Sequence, residues 1–138
     1  NTFLGEVVSA GDKISIQVKD IQFDIPSEIQ NKIMELNVKE VIMGMFPSKI
    51  QPIDRMENKS GISNNYVEGF VEFIESRGSR RIIFLKTPHN LTFTLQLPLE
   101  RSIRIGENIM CLFGKEDIQI FDKETQKNIL LLEGEGVG

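Results

Sequence analysis

The chain has 138 residues, a net charge of −4, and 40% hydrophobic against 26% charged residues. That balance suits an ordinary globular chain and excludes collagen-like, disulfide-scaffold and disordered classes. The acidic excess argues against a domain that holds nucleic acid through a basic field.

The dominant hydrophobic period is two. Phe3, Gly5 and Val7 alternate with Leu4, Glu6 and Val8. After the turn signal Ala10-Gly11-Asp12, Ile14, Ile16 and Val18 alternate with Ser15 and Gln17. Ile21, Phe23 and Ile25 continue the pattern up to Pro26. Such alternation sets one strand face on a core and the other in water. A helix signal follows. Ser27-Glu28-Ile29-Gln30 reads as a capping box, and Ile29, Ile33 and Leu36 repeat at helical spacing. The pattern predicts a helix of roughly 8–10 residues. Val41, Met43 and Met45 then share one strand face, ended by Pro47. The polar stretch 55–65 reads as a linker. Strands resume over 66–75 and 81–86, joined by the turn Ser76-Arg77-Gly78-Ser79. Leu91, Phe93, Leu95 and Leu97 alternate up to Pro98, and short apolar strands follow at 109–113 and 118–121.

An internal repeat organises these elements. Leu4-Gly5-Glu6-Val7-Val8 parallels Glu68-Gly69-Phe70-Val71-Glu72. Ile42-Met43-Gly44-Met45-Phe46 parallels Ile109-Met110-Cys111-Leu112-Phe113, and 50–54 parallels 118–122. The expected fold is all-β with one or two short helices, built as tandem OB-like barrels. The expected division is 1–54 as the first half, 55–65 as linker and 66–138 as the second half. A small Greek-key barrel of OB type needs five short strands per half, and a glycine in the first strand lets it bend sharply.

The chain offers little catalytic chemistry. Gly114-Lys115 lacks both the earlier glycine and the following hydroxyl of a phosphate-binding loop. One histidine, His89, and one cysteine, Cys111, exclude a triad, a multi-histidine metal site and a thiolate zinc site. A single cysteine also forms no internal disulfide, which reads as a reducing compartment. Glu68, Glu72 and Glu75 offer paired acids but read as a solvated sheet face. Met34, Met43, Met45 and Met110 sit at apolar positions and read as core. Arg77, Arg80, Arg81 and Lys86 form a basic cluster near Phe70, Phe73 and Phe84. Basic and stacking residues of this kind would serve a single-stranded nucleic acid, although Phe70 and Phe84 read equally as core. An oxyanion site held by backbone N–H groups remains a further option. No apolar run approaches the roughly 18 residues that span a bilayer. With no initiator Met and no leader pattern, Asn1 reads as a cut within a longer chain.

The repeated segments also carry a family resemblance. Asn1-Thr2-Phe3-Leu4-Gly5 resembles the start of the C-terminal regulatory region of sugar-type ABC importer ATP-binding subunits, the maltose and glycerol-phosphate importer family. The stretch 41–50, with Gly44, Phe46, Pro47, Ser48 and Lys49, is similar to that family's hydrophobic-Gly-Ile-Arg-Pro-Glu-His-Leu motif. The stretch 113–122, with Phe113, Gln119, Phe121 and Asp122, is similar to its closing motif, and Glu124-Thr125-Gln126-Lys127 to the turn after it. Phe46, Ser48, Lys49 and Gln119 depart from the family's polar residues, while spacing and apolar positions persist. The resemblance implies a TOBE domain made of OB-like barrels, acting as an accessory regulatory and dimerisation domain. The implied partners are a second copy of the subunit, the membrane permease subunits and regulatory proteins. The implied setting is the cytoplasmic face of the membrane, without insertion into it. ATP and Mg would belong to an upstream catalytic domain, leaving no cofactor and no enzyme activity here. The alternative reading is a tandem OB-like module for a small oxyanion, molybdate-like, or for single-stranded nucleic acid.

Overall fold

A computed structural model describes residues 1–53 and 65–132. Among these described residues, ten strands form two five-stranded antiparallel sheets, each belonging to its own compact unit. The strands are β1 (Thr2–Ala10), β2 (Lys13–Val18), β3 (Ile21–Asp24), β4 (Glu40–Gly44) and β5 (Gln51–Ile53). After them come β6 (Tyr66–Arg77), β7 (Arg80–Lys86), β8 (Thr92–Pro98), β9 (Asn108–Leu112) and β10 (Gln119–Asp122). Among the described residues the single α-helix is α1 (Ser27–Leu36). Short 3-10 turns lie at Lys115–Asp117 and Ile129–Leu131.

The first unit combines Thr2–Gly44 with residues from Lys115 onward, in the sheet order β10-β4-β1-β2-β3. Ile16, Phe23, Val41, Met43, Ile120 and Ile129 lie fully buried in it. The alternation read from the sequence sets this face, with Phe3 buried and its neighbour Leu4 59% exposed. The second unit combines Asn1 with Met45–Gly114, in the order β5-β9-β6-β7-β8. Val71, Ile83, Leu85, Leu95, Cys111 and Phe113 are among its most buried residues.

These units cut across the contiguous division at 1–54 and 66–138. β10 pairs with β4, so it completes the sheet of β1 to β3. β5 pairs with β9, so it completes the sheet of β6 to β8. The fifth strands of the two repeats are thus traded. Periodicity marks which face of a strand is buried but not which strand it pairs with. The proposed linker lies outside the described residues except for Asn65. That residue is buried, and its carbonyl accepts from Phe113 N–H at 2.8 Å.

Helix α1 has the expected length and buries Ile29 and Ile33. It starts differently from the capping-box expectation. Pro26 is the N-cap, and no side chain caps the first turn. The Gln30 amide instead ties the helix to the sheet. Its oxygen accepts from Ile14 N–H at 2.9 Å, and its NH2 donates to Ile25 C=O at 3.0 Å. Asn37, with φ of 54°, ends the helix in the left-handed region. Met34 is 51% exposed on the outer side of α1, against the expectation of a core position. Met43 and Met45 are buried as read. We expect Gln30→Ala to cost about 1–3 kcal/mol by leaving two backbone groups without a partner. Ser27→Ala should stay within about 0.5 kcal/mol. Urea melts of both variants test this, and the reverse order would restore the capping box.

Candidate functional site

The first motif segment divides between the two units. Gly44 ends β4, buried, opposite Thr2 on one side and Gln119 on the other. Phe46, Pro47, Ser48 and Lys49 follow in the second unit. Lys49 N–H bonds Phe46 C=O at 2.9 Å and closes a turn. Pro47 C=O accepts from Gln96 N–H at 3.0 Å and so covers part of the free edge of β8. Ser48 and Lys49 are exposed, and Phe46 is 58% exposed. Next along the same edge, the Asn1 side chain acts like a strand. Its oxygen accepts from Thr94 N–H at 2.9 Å, and its NH2 donates to Thr94 C=O at 3.0 Å.

The closing motif is mainly structural. Phe113 is fully buried and meets Phe93 edge-on at 5.2 Å. Gln119 and Phe121 lie opposite Gly44 and Ile42 in the first sheet. The Asp122 carboxylate accepts from Thr125 N–H at 2.8 Å, and Asp122 N–H bonds Lys127 C=O at 2.8 Å. These bonds build the turn after β10. Phe121, Ile42 and Leu4 are cross-strand neighbours on one outward face. With Thr2 and Gln126, Ile42 and Phe121 line a shallow cleft of about 330 Å³.

Three members of the basic cluster are engaged by neighbouring groups. Arg81 donates to the carbonyls of Arg101, at 2.6 Å, and Ile103, at 3.1 Å, and so pins the loop after β8. Arg77 pairs with Glu75, and Lys86 with Glu72 at 3.1 Å. Arg80 is exposed. These pairs also account for two of the three glutamates that might have worked as acids.

Phe70 departs from the core reading, whereas Phe84 is half-buried. A bulge between Val71 and Phe73 shifts the register of β6 against β7. Phe70 already faces outward by alternation with the buried Val67, Gly69 and Val71, and the bulge turns Phe73 outward as well; they are 44% and 53% exposed. Phe73 packs on Phe84 at 5.6 Å between ring centroids. Phe70 stands between Lys86 of β7 and Asn108 of β9, its direct cross-strand partners. Glu68, Phe70, Lys86 and Asn108 line a cleft of about 330 Å³ with the turn that follows β7. His89 sits exposed in that turn.

Cys111 is fully buried, and burial pushes its thiol up to about 12. It stays protonated at neutral pH and is a poor nucleophile there. Among the described residues no group of three or more His, Cys, Asp or Glu side chains is placed to hold a metal ion. Nor is any helix among them long and apolar enough to cross a membrane.

The strand order five-four-one-two-three in each sheet, with the fifth strand exchanged, defines an OB-like fold used twice. Comparison with solved structures agrees. The chain superposes on the cytoplasmic molybdate-binding protein ModG, in a crystal form with molybdate bound, with a TM-score of 0.68. The match covers 87% of this chain and 94% of that one at 13% identity, and it bears on the fold alone. In sequence, 92 residues are 34% identical to the trehalose/maltose import ATP-binding protein MalK of Thermococcus litoralis. That match takes in 66% of this chain, which spans 24% of the relative's length. The likeness to sugar-importer ATP-binding subunits read from the motifs is thus present in a direct alignment. No protein-family model matches the chain.

Proposed function

We propose that this chain is an accessory, regulatory and dimerisation domain of an ABC importer's ATP-binding subunit, with carbohydrate or glycerol phosphate as transported solute. The observation that carries the reading is the 34% identity to MalK over 92 residues. The doubled OB-like fold supports it, since such a module offers sheet faces for protein contact. The outward row Leu4, Ile42 and Phe121 is one such apolar face. In this reading ATP and Mg are held by the catalytic domain of the parent subunit. The permease subunits and any regulatory protein are its partners at the cytoplasmic face of the membrane, and the chain itself is no enzyme.

Two measurements test this. Sedimentation over a concentration series should show reversible dimers, and calorimetry with Mg-ATP should show no binding. Micromolar ATP binding by a chain that stays monomeric would overturn the proposal. The likeness to ModG favours a second reading, in which the module binds an oxyanion of the molybdate type. Saturable heat on titration with sodium molybdate would carry that reading instead.

A further inference from the structure

The outer face of β6, β7 and β9 carries a row of side chains beside a cleft that the importer reading does not use. Lys86, Phe70 and Asn108 form one row across three neighbouring strands. Neighbouring strands lie about 4.8 Å apart, so the row spans roughly 10 Å with the aromatic ring at its centre. Glu68 stands two residues from Phe70 along β6 and lines the same cleft. The cleft's volume of about 330 Å³ falls within the range of small-molecule sites. The Phe70 side chain is 44% exposed and shares the cleft with an amide and a carboxylate. Apolar area flanked by a few convergent polar groups is the make-up of a site for a small polar ligand.

The charge pattern selects the ligand. Lys86 is paired with Glu72 at 3.1 Å, and Glu68 adds a second carboxylate. The local balance is therefore negative and repels phosphates and other anions. A neutral ring with an apolar face and hydroxyl edges suits it. The ring's C–H face packs on Phe70, and its hydroxyls donate to Glu68 and exchange hydrogen bonds with Asn108. From this juxtaposition we infer that the Lys86–Phe70–Asn108 row is a binding site for a neutral saccharide. The inference rests on the second unit alone and not on the importer assignment.

The test is titration of the whole isotope-labelled chain with maltose, followed by amide NMR shifts. A site this open should bind with a Kd on the order of 1 mM. Saturable shifts are expected at Glu68, Phe70, Lys86 and Asn108. Phe70→Ala should weaken binding at least tenfold and Glu68→Gln severalfold, while Phe70→Tyr keeps it. These side chains are exposed, so the variants should retain the parent spectrum elsewhere. No saturation by about 0.1 M maltose overturns the inference. So does saturable binding of adenosine monophosphate at the same residues with maltose silent, which would assign the platform to base stacking.

Discussion

Phe113→Ala is expected to lower stability by about 3–5 kcal/mol, the range for removing a fully buried phenylalanine. The ring has no exposed surface and packs edge-on against Phe93 at 5.2 Å with planes 71° apart. Such a pair adds roughly 0.5–1.5 kcal/mol beyond the area it buries. Its ring partner Phe93 is itself buried, so collapse around the void is restricted. A domain holds only about 5–15 kcal/mol in total, so this single truncation removes a large share. Urea unfolding followed by circular dichroism measures the effect. Phe113→Leu, which leaves a smaller void, should lose much less. Equal losses for the two variants would mean that hydrophobic volume at 113 is unimportant.

Gly5→Ala is expected to destabilise despite adding a better strand former. A Cβ there would lie 2.6 Å from Ile16 Cγ2 and 3.4 Å from Val18 Cγ2. Ile16 has no exposed surface and little room to yield. Overpacking costs about 1–3 kcal/mol, whereas removing glycine's freedom in the unfolded chain returns only about 0.4–1 kcal/mol. The clash wins. Gly69 holds the matching position in the second unit, where a Cβ would stand 3.0 Å from Leu85 Cβ and 3.2 Å from Phe93 Cζ. Gly69→Ala should therefore cost less than Gly5→Ala. Thermal melts of the two single variants rank them, and the opposite order would show that β1 relaxes more readily than β6.

The repeat placed this glycine pair at matching positions, where it was read as a bend in the strand; the structure adds the close approach of the neighbouring side chains. The strand alternation and the helix at 27–36 were legible, since each follows from local periodicity. Three features were not. The exchange of β5 and β10 depends on pairing partners, which alternation within a strand leaves open. The outward turn of Phe73 depends on one bulge, and Val71-Glu72-Phe73 carries no local mark of it. The basic cluster looked free because carbonyl groups, the partners of Arg81, have no signature in a sequence. The motif positions were legible as a set, but most proved to be turn and core residues. Gly44, Phe113 and Asp122 hold the backbone, and Phe46 alone among them offers a large exposed apolar surface.

The traded fifth strands set an order of events during synthesis. Every strand of the second unit lies within 51–112, so its sheet is complete before β10 emerges. The first unit begins earlier but must wait for β10 to occupy the edge of β4. Closing so long a loop is entropically slow, and an uncovered strand edge is prone to pair with other chains. The half of the protein made first is thus the half that matures last, and β4 is the edge a chaperone would have most reason to guard.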